Sequence, residues 1–218
     1  DLTGHTADSR NGIYQHEPAP TIINYLGYPG TMGSNCYNFI IADEIILPKE
    51  EKKNFVENII YLPKCYQPKQ DKFITKDKKF SKKDFGLPEN SFVFASLNNN
   101  FKITPIIFEA WMEILKKTEN SVLWLLIDDV VAKKNIEKET AKRGVNISRI
   151  FYASRVSNKE HLKRLKFIDL FLDTFPYGAH TTAKEAISMG IPLITIMGKS
   201  FASRVASSIL SDIGLEKL

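Results

Sequence analysis

The chain has 218 residues, of which 43% are hydrophobic and 25% charged, with a formal net charge of +5. That composition allows one large globular domain or two small ones with a real core, and it excludes a disordered or collagen-like chain. No apolar run approaches the roughly 18 residues of a membrane span, and Asp1-Leu2-Thr3-Gly4-His5 lacks the basic and apolar regions of a signal peptide.

Cys36 and Cys65 have neither CxxC spacing nor enough neighbours for a disulfide framework or a zinc site. The expectation is two buried free thiols in a reducing cytoplasm. Lysines concentrate between Lys64 and Lys83, including Lys69, Lys72, Lys76, Lys78, Lys79 and Lys82. This stretch has little apolar periodicity and no alternating aromatics, so it reads as a solvated linker rather than a nucleic-acid-binding element. Without an initiator Met, the chain is expected to be a fragment.

In chain order, Thr21–Leu26, Tyr37–Ala42 and Asn58–Leu62 read as buried strands, with a short helix around Glu50–Val56. Residues 1–68 form the first division, 69–84 the lysine-rich linker and 85–218 the second domain. There the strands Ser91–Leu97, Ser121–Ile127, Arg149–Ala153, Asp169–Leu172 and Pro192–Ile196 alternate with helices. The helices are Thr104–Lys117, Val131–Arg143, Asn158–Lys166, Thr181–Met189 and Ser200–Leu210, the first opened by a Thr cap and a Pro at its first position. The strands are continuous apolar runs, as when helices cover both faces of a parallel sheet. The fold class is therefore α/β, a doubly wound parallel sheet of five or six strands.

In such a sheet the ligand lies beyond the carboxyl ends of the strands. After the first strand, Asn98-Asn99-Asn100-Phe101-Lys102 offers amides and a cation that can reach an anion, or is simply an Asn-rich turn with a solvated lysine. After the third, Val156, Ser157, Asn158 and Lys159 precede His161 and Arg164, which share a helix face; Asn158 is also the expected N-cap. After the fourth, a small-residue turn runs through His180 into Thr181 and Thr182, exposing N–H groups and hydroxyls to an anion such as a diphosphate. Glu185, one turn on, is placed to accept from a ribose diol, or is simply an acidic residue early in a helix. Asp128-Asp129 lacks a third ligand and reads as a helix cap rather than a metal site. Gly27, Gly30 and Gly33 do not fit dinucleotide spacing and read as letting a loop bend close to a neighbour.

These segments together resemble the O-GlcNAc transferase and SPINDLY family of GT-B glycosyltransferases. Leu26-Gly27-Tyr28-Pro29-Gly30-Thr31 with Asn38–Asp43 is similar to its LGYPGT and DYIITD region. Asn98–Pro105, Ser121–Leu126, Leu172–Thr182 and Ala202-Ser203-Arg204-Val205-Ala206 are similar to its NxxxKI(T/D)P, SVLWLL, LDT…GHTT and ASRVA segments. The resemblance covers nearly the whole chain in order. It implies a GT-B fold with a Rossmann-like domain preceded by the end of a second one.

The activity it implies is metal-independent, cofactor-free inverting transfer of a sugar from a nucleotide-sugar donor to Ser or Thr of a protein or peptide acceptor. Lys102 is then the catalytic residue, contacting the donor diphosphate and stabilising the leaving group. Asn99 stands where the family has a nucleotide-contacting Gln. Val156, Ser157, Asn158 and Lys159 border the base, with His161 and Arg164 beside it; His180, Thr181 and Thr182 hold the nucleotide and phosphates, and Glu185 stands for an Asp on the ribose. Tyr28, Pro29, Gly30 and Thr31 form a candidate cleft loop.

Asn158 replaces a family Lys near the base, which implies different base recognition. Asp173-Thr174-Phe175-Pro176-Tyr177 looks more like SPINDLY, which uses GDP-fucose, whereas His180 matches the O-GlcNAc transferases; UDP-GlcNAc is the favoured donor. The family's general-base histidines and tetratricopeptide superhelix are expected before Asp1, and the short linker gives the chain a bacterial look. The alternatives are a GDP-fucose-using SPINDLY-like enzyme, a transferase of small molecules or lipids, and a truncated, non-catalytic nucleotide-sugar-binding module.

Overall fold

A computed structural model of the chain describes residues 1–68 and 80–215. Most of the expected linker, residues 69–79, lies outside the described residues. The chain divides into two compact units, one formed by Asp1–Lys69 with Met197–Leu218 and the other by Gln70–Ile196.

The second unit is built on five parallel strands: β4 (Phe92–Ser96), β5 (Ser121–Leu126), β6 (Ile150–Ala153), β7 (Leu170–Leu172) and β8 (Leu193–Ile194). The first unit holds three more, β1 (Ile23–Asn24), β2 (Phe39–Ala42) and β3 (Asn58–Tyr61), also parallel and in the order β1-β2-β3. In the larger sheet the order is β6-β5-β4-β7-β8, so the chain starts in the middle, fills one side and then crosses to the other. Five helices follow in chain order: α1 (Pro105–Lys117), α2 (Val130–Lys142), α3 (Asn158–Leu165), α4 (Thr181–Ser188) and α5 (Val205–Asp212).

β5 shows why these strands are apolar throughout. Leu123 and Leu125 join the core that α1 covers with Ile107, Phe108, Trp111, Met112 and Leu115. Between them, Trp124 meets Phe85 and the Arg164 guanidinium, so alternate residues of one strand are buried against different neighbours. The α1 residues recur at helical spacing on one face, and each large side chain contributes about 1.5–3 kcal/mol on burial. Thr104 caps α1 by accepting from the Ile107 N–H, and Pro105 follows at the first helical position, as its sequence predicts.

Several expectations change in detail. The helix expected around Glu50–Val56 is a 3₁₀ segment, Lys49–Asn54, and the end of the lysine-rich stretch is a 3₁₀ turn, Lys82–Phe85, closed by a Ser81–Asp84 capping box. Ser200–Leu210 is not one helix but a 3₁₀ turn, Phe201–Ser203, leading into α5. Neither cysteine is fully buried, although both thiols are free. Among the described residues, no helix is long and apolar enough to cross a membrane.

Sequence order places residues 197–218 with the second domain; they group instead with the first unit. Asp43, just beyond β2 and 3% exposed, explains the attachment. Its carboxylate accepts from the backbone N–H groups of Ile45, Ile46 and Tyr66 at 3.0, 2.9 and 2.8 Å and from Ser208 Oγ of α5 at 2.7 Å. Arg204 adds hydrogen bonds to the carbonyls of Ile45 and Gly198. Asp43→Ala leaves several of these buried donors unpaired and is expected to cost about 3 kcal/mol or more. Urea unfolding followed by circular dichroism measures this, and a loss below about 1 kcal/mol would show that the carboxylate is not the clamp.

Candidate functional site

Between β4 and β7 the strand order reverses, and it is beyond the carboxyl ends at such a switch point that a parallel sheet takes a ligand. The first residues past these strands carry the architecture. Asp173 is 4% exposed. Its Oδ1 accepts from the Thr174 and Ala179 N–H groups at 2.7 and 2.6 Å and from Asn98 Nδ2 at 3.2 Å, while Oδ2 accepts from Thr195 Oγ1 at 2.7 Å. Asn98 also donates to Thr174 Oγ1 at 3.0 Å and accepts from Thr182 Oγ1 at 3.0 Å. The ends of β4, β7 and β8 and the start of α4 are thereby joined into one polar network. Burial raises the Asp173 carboxyl above its ordinary range, opposed by these hydrogen bonds and by Lys102.

Lys102 closes the 3₁₀ turn Asn100–Lys102 after β4. Its Nζ donates to the Gly178 carbonyl at 2.8 Å and lies 4.0 Å from the centre of the Tyr177 ring. Tyr177 in turn stacks on His180, 5.1 Å between centroids. The lysine is therefore held at the mouth of α4 rather than waving in solvent. Burial lowers its pKa to about 8, with the Asp173 carboxylate pulling the other way. Thr181, the first residue of α4, is exposed, and its neighbours' N–H groups begin a helix of eight residues. The Thr182 hydroxyl hydrogen is given to Asn98, so toward an anion Thr182 presents its backbone. A cation of lowered hydration beside a helix N-terminus is suited to a diphosphate.

A second cluster joins α3 to α4. Glu185 is 7% exposed, which its position early in a helix does not by itself require. Oε1 accepts from Asn158 Nδ2 at 3.2 Å, and Oε2 lies 3.4 Å from His161 Nε2. Arg164, 3% exposed, donates from Nε to His161 Nδ1 at 3.1 Å and from a terminal nitrogen to the Ser154 carbonyl at 2.6 Å. Because Nδ1 accepts, a neutral His161 carries its proton on Nε2, toward Glu185. His161 and Arg164 thus share a helix face as expected. Asn158, however, is not the N-cap: Ser157 is, in a capping box with Glu160, which leaves the Asn158 amide for Glu185.

The remaining predicted residues sit around these clusters. Val156 and Lys159 are exposed in the β6–α3 segment, and Asn99 Oδ1 accepts from the Arg155 guanidinium. Asp129 caps α2 by accepting from Ala132 N–H at 2.6 Å, while Asp128 accepts from the Arg155 N–H at 3.2 Å. Among the described residues, no group of three or more His, Cys, Asp or Glu is placed to hold a metal. The sequence reading passed over Arg155, Tyr177 and the hub role of Asp173. Each follows a strand within a segment already singled out, but each also has partners far away in sequence: Asn99 for Arg155, Lys102 for Tyr177 and Asn98 for Asp173.

The Tyr28–Thr31 loop belongs to the first unit and is held there by Glu57, 2% exposed. That carboxylate accepts from Thr31 Oγ1 and the Met32 N–H, both at 2.6 Å. Gly27 meets the Leu2 carbonyl so closely that an added Cβ would lie 2.0 Å from its oxygen, which accounts for one glycine of the motif by close approach.

Residues 1–77 and 69–218 match the description Glycosyl transferase family 41. The chain belongs to glycosyl transferase family 41. One relative is the Arabidopsis thaliana protein named probable UDP-N-acetylglucosamine–peptide N-acetylglucosaminyltransferase SEC. It is 33% identical over 99% of this chain and 22% of its own length. The SPINDLY protein of the same plant, also named a probable enzyme of that activity, is 31% identical over 100% of this chain and 24% of its own. This family 41 chain therefore spans about a quarter of the curated relatives it matches. Among solved structures, a mutant Thermobaculum terrenum O-GlcNAc transferase aligns with a TM-score of 0.80 at 25% identity, covering 94% of this chain and 39% of that one. The fold is accordingly α/β with parallel sheets of the GT-B Rossmann-like type.

Lys102 is expected to titrate at about 8, so it is mainly charged at neutral pH and discharges above that value. Its hold on an anion should weaken over the same rise. NMR of the lysine ε-positions should show one signal titrating well below the rest and missing in Lys102→Arg; lysines that all titrate near 10.5 would refute the lowered value.

Proposed function

We propose that this chain is the donor-binding catalytic region of a protein O-glycosyltransferase. In this reading it transfers N-acetylglucosamine from UDP-N-acetylglucosamine to Ser or Thr hydroxyls of a polypeptide, with inversion and without a metal. The observation that carries the reading is the half-buried Lys102 held against Gly178 and Tyr177 at the N-terminus of α4, in a family 41 chain. The names of the Arabidopsis relatives supply the donor and the peptide acceptor.

In the reaction the acceptor oxygen bonds to the anomeric carbon as the bond to the diphosphate breaks; that electron pair leaves with the nucleoside diphosphate, and the hydroxyl proton passes to water or to a general base of the whole protein. Charge grows on the leaving group. Lys102 and the first N–H groups of α4 stand where a preorganised cation and dipoles can take up this charge, the part a metal plays elsewhere. In this reading Glu185, held by Asn158 and His161, accepts from the ribose, and His180, stacked with Tyr177, contacts the nucleotide. A tetratricopeptide region elsewhere in the whole protein would present the acceptor. The two unpaired thiols fit a reducing compartment, and we place the reaction in the cytoplasm.

A charge-assisted contact is worth about 1.5–3 kcal/mol, so Lys102→Ala should weaken UDP binding by roughly ten- to a hundredfold with the circular dichroism unchanged. Calorimetric titration reads the affinity, and transfer of labelled N-acetylglucosamine to peptide should disappear with it. A folded Lys102→Ala protein that binds UDP as tightly as the wild type would overturn the site.

A further inference from the structure

The segment after β6 is tied down along its length. Arg164 donates to the Ser154 carbonyl at 2.6 Å, the Arg155 N–H donates to the Asp128 carboxylate at 3.2 and 3.3 Å, and Asn158 donates to Glu185 at 3.2 Å. Within it, the Arg155 guanidinium donates to Asn99 Oδ1 and keeps its Nε 3.7 Å from Asp128 Oδ2. One side chain thereby links the carboxyl ends of β4, β5 and β6, yet it remains 70% exposed. Exposed apolar groups accompany it: Val156 next in sequence, at 45%, and Val130, at 64%, two residues beyond Asp128.

We propose that Arg155 determines base specificity by donating to a keto oxygen of the donor's nucleobase, so that uracil and guanine are accepted over cytosine and adenine. This rests on the donor-site reading above. A diphosphate at Lys102 and α4 lies over the β4–β7 junction, and its nucleoside can extend along the row of strand ends in either direction. Toward β6 it meets Glu185, held through Asn158, and then Arg155, with the exposed Val156 next in sequence.

The selectivity follows from the donor inventory. Guanidinium has five N–H groups, no acceptor, and keeps its charge throughout the physiological range. Uracil presents an oxygen at position 4 and guanine one at position 6, whereas cytosine and adenine present an amino group at the same places. Donor facing donor leaves both unpaired, and a site built to hydrogen-bond one group rejects the analogue lacking it. Lysine would keep the charge but lose the planar fork, which Asn99 and Asp128 orient here.

The test is calorimetric titration of the 218-residue chain with UDP, CDP, GDP and ADP, for the wild type, Arg155→Ala and Lys102→Ala. The wild type should bind UDP about tenfold or more tighter than CDP, and GDP tighter than ADP by a similar factor. Arg155→Ala should cost the keto nucleotides about tenfold and the amino nucleotides less than about twofold, so the ratios fall toward unity. Lys102→Ala should weaken all four alike. Equal weakening of UDP and CDP by Arg155→Ala would assign the residue to phosphate and overturn the proposal, as would no change at all. An Arg155→Ala variant that still discriminates keto from amino bases as the wild type does would equally overturn it while leaving the donor site standing. Failure of the wild type to bind any of the four would bring down the donor-site reading and this inference with it. Because Arg155 is a surface residue, thermal unfolding of the variant should match the wild type, which ties any affinity change to the contact.

Discussion

A buried carboxylate at the end of a parallel strand organises the candidate site. Asp173 accepts from two backbone N–H groups, an amide and a hydroxyl drawn from β4, from β8 and from its own turn. Burying a charge is expensive unless its lone pairs are filled, and here the filling groups come from the segments that follow β4, β7 and β8. The Asp173–Ala179 turn therefore has little freedom to rearrange, and Gly178 and Tyr177 are presented where Lys102 can reach them. The first unit uses the same device. Asp43 follows β2 and gathers three backbone N–H groups and Ser208, drawing α5 onto that unit's sheet.

Around this frame the electrostatics are arranged in advance of any ligand. Lys102 loses hydration in exchange for a hydrogen bond to a carbonyl and contact with an aromatic face, with the Asp173 carboxylate acting on it as well. A cation held this way has given up hydration for weaker neutral partners, which is why burial lowers its pKa. Glu185 is the opposite case, a buried carboxylate already bonded to Asn158 and close to His161. Its position is fixed by α3, which supplies both partners.

Much of this was legible in the residues. Continuous apolar runs revealed the strands, as in Ser121–Leu126, because helices cover both faces. Thr104-Pro105 announced the start of α1, and Asp129 the start of α2, because caps act within three residues of themselves. The segments after the strands stood out under the general rule that a parallel α/β sheet takes its ligand there, and the structure brings Asn98, Asp173, Thr174 and Thr182 of those segments together. Other features were hidden. Asn158 and Ser157 are adjacent polar residues at a helix start, and only the capping box with Glu160 decides between them.

What the sequence by itself determined was local: periodicity, caps, turns, and the set of polar residues delivered to the strand ends. Tertiary structure alone decided the strand order, the return of α5 to the first unit, and the pairings of Asn98 with Asp173, Asn99 with Arg155 and Asn158 with Glu185. The reason is physical. A cap or an amphipathic face depends on neighbours within one or two helical turns, whereas Asn98 and Asp173 stand 75 residues apart and meet only after β4 and β7 have paired.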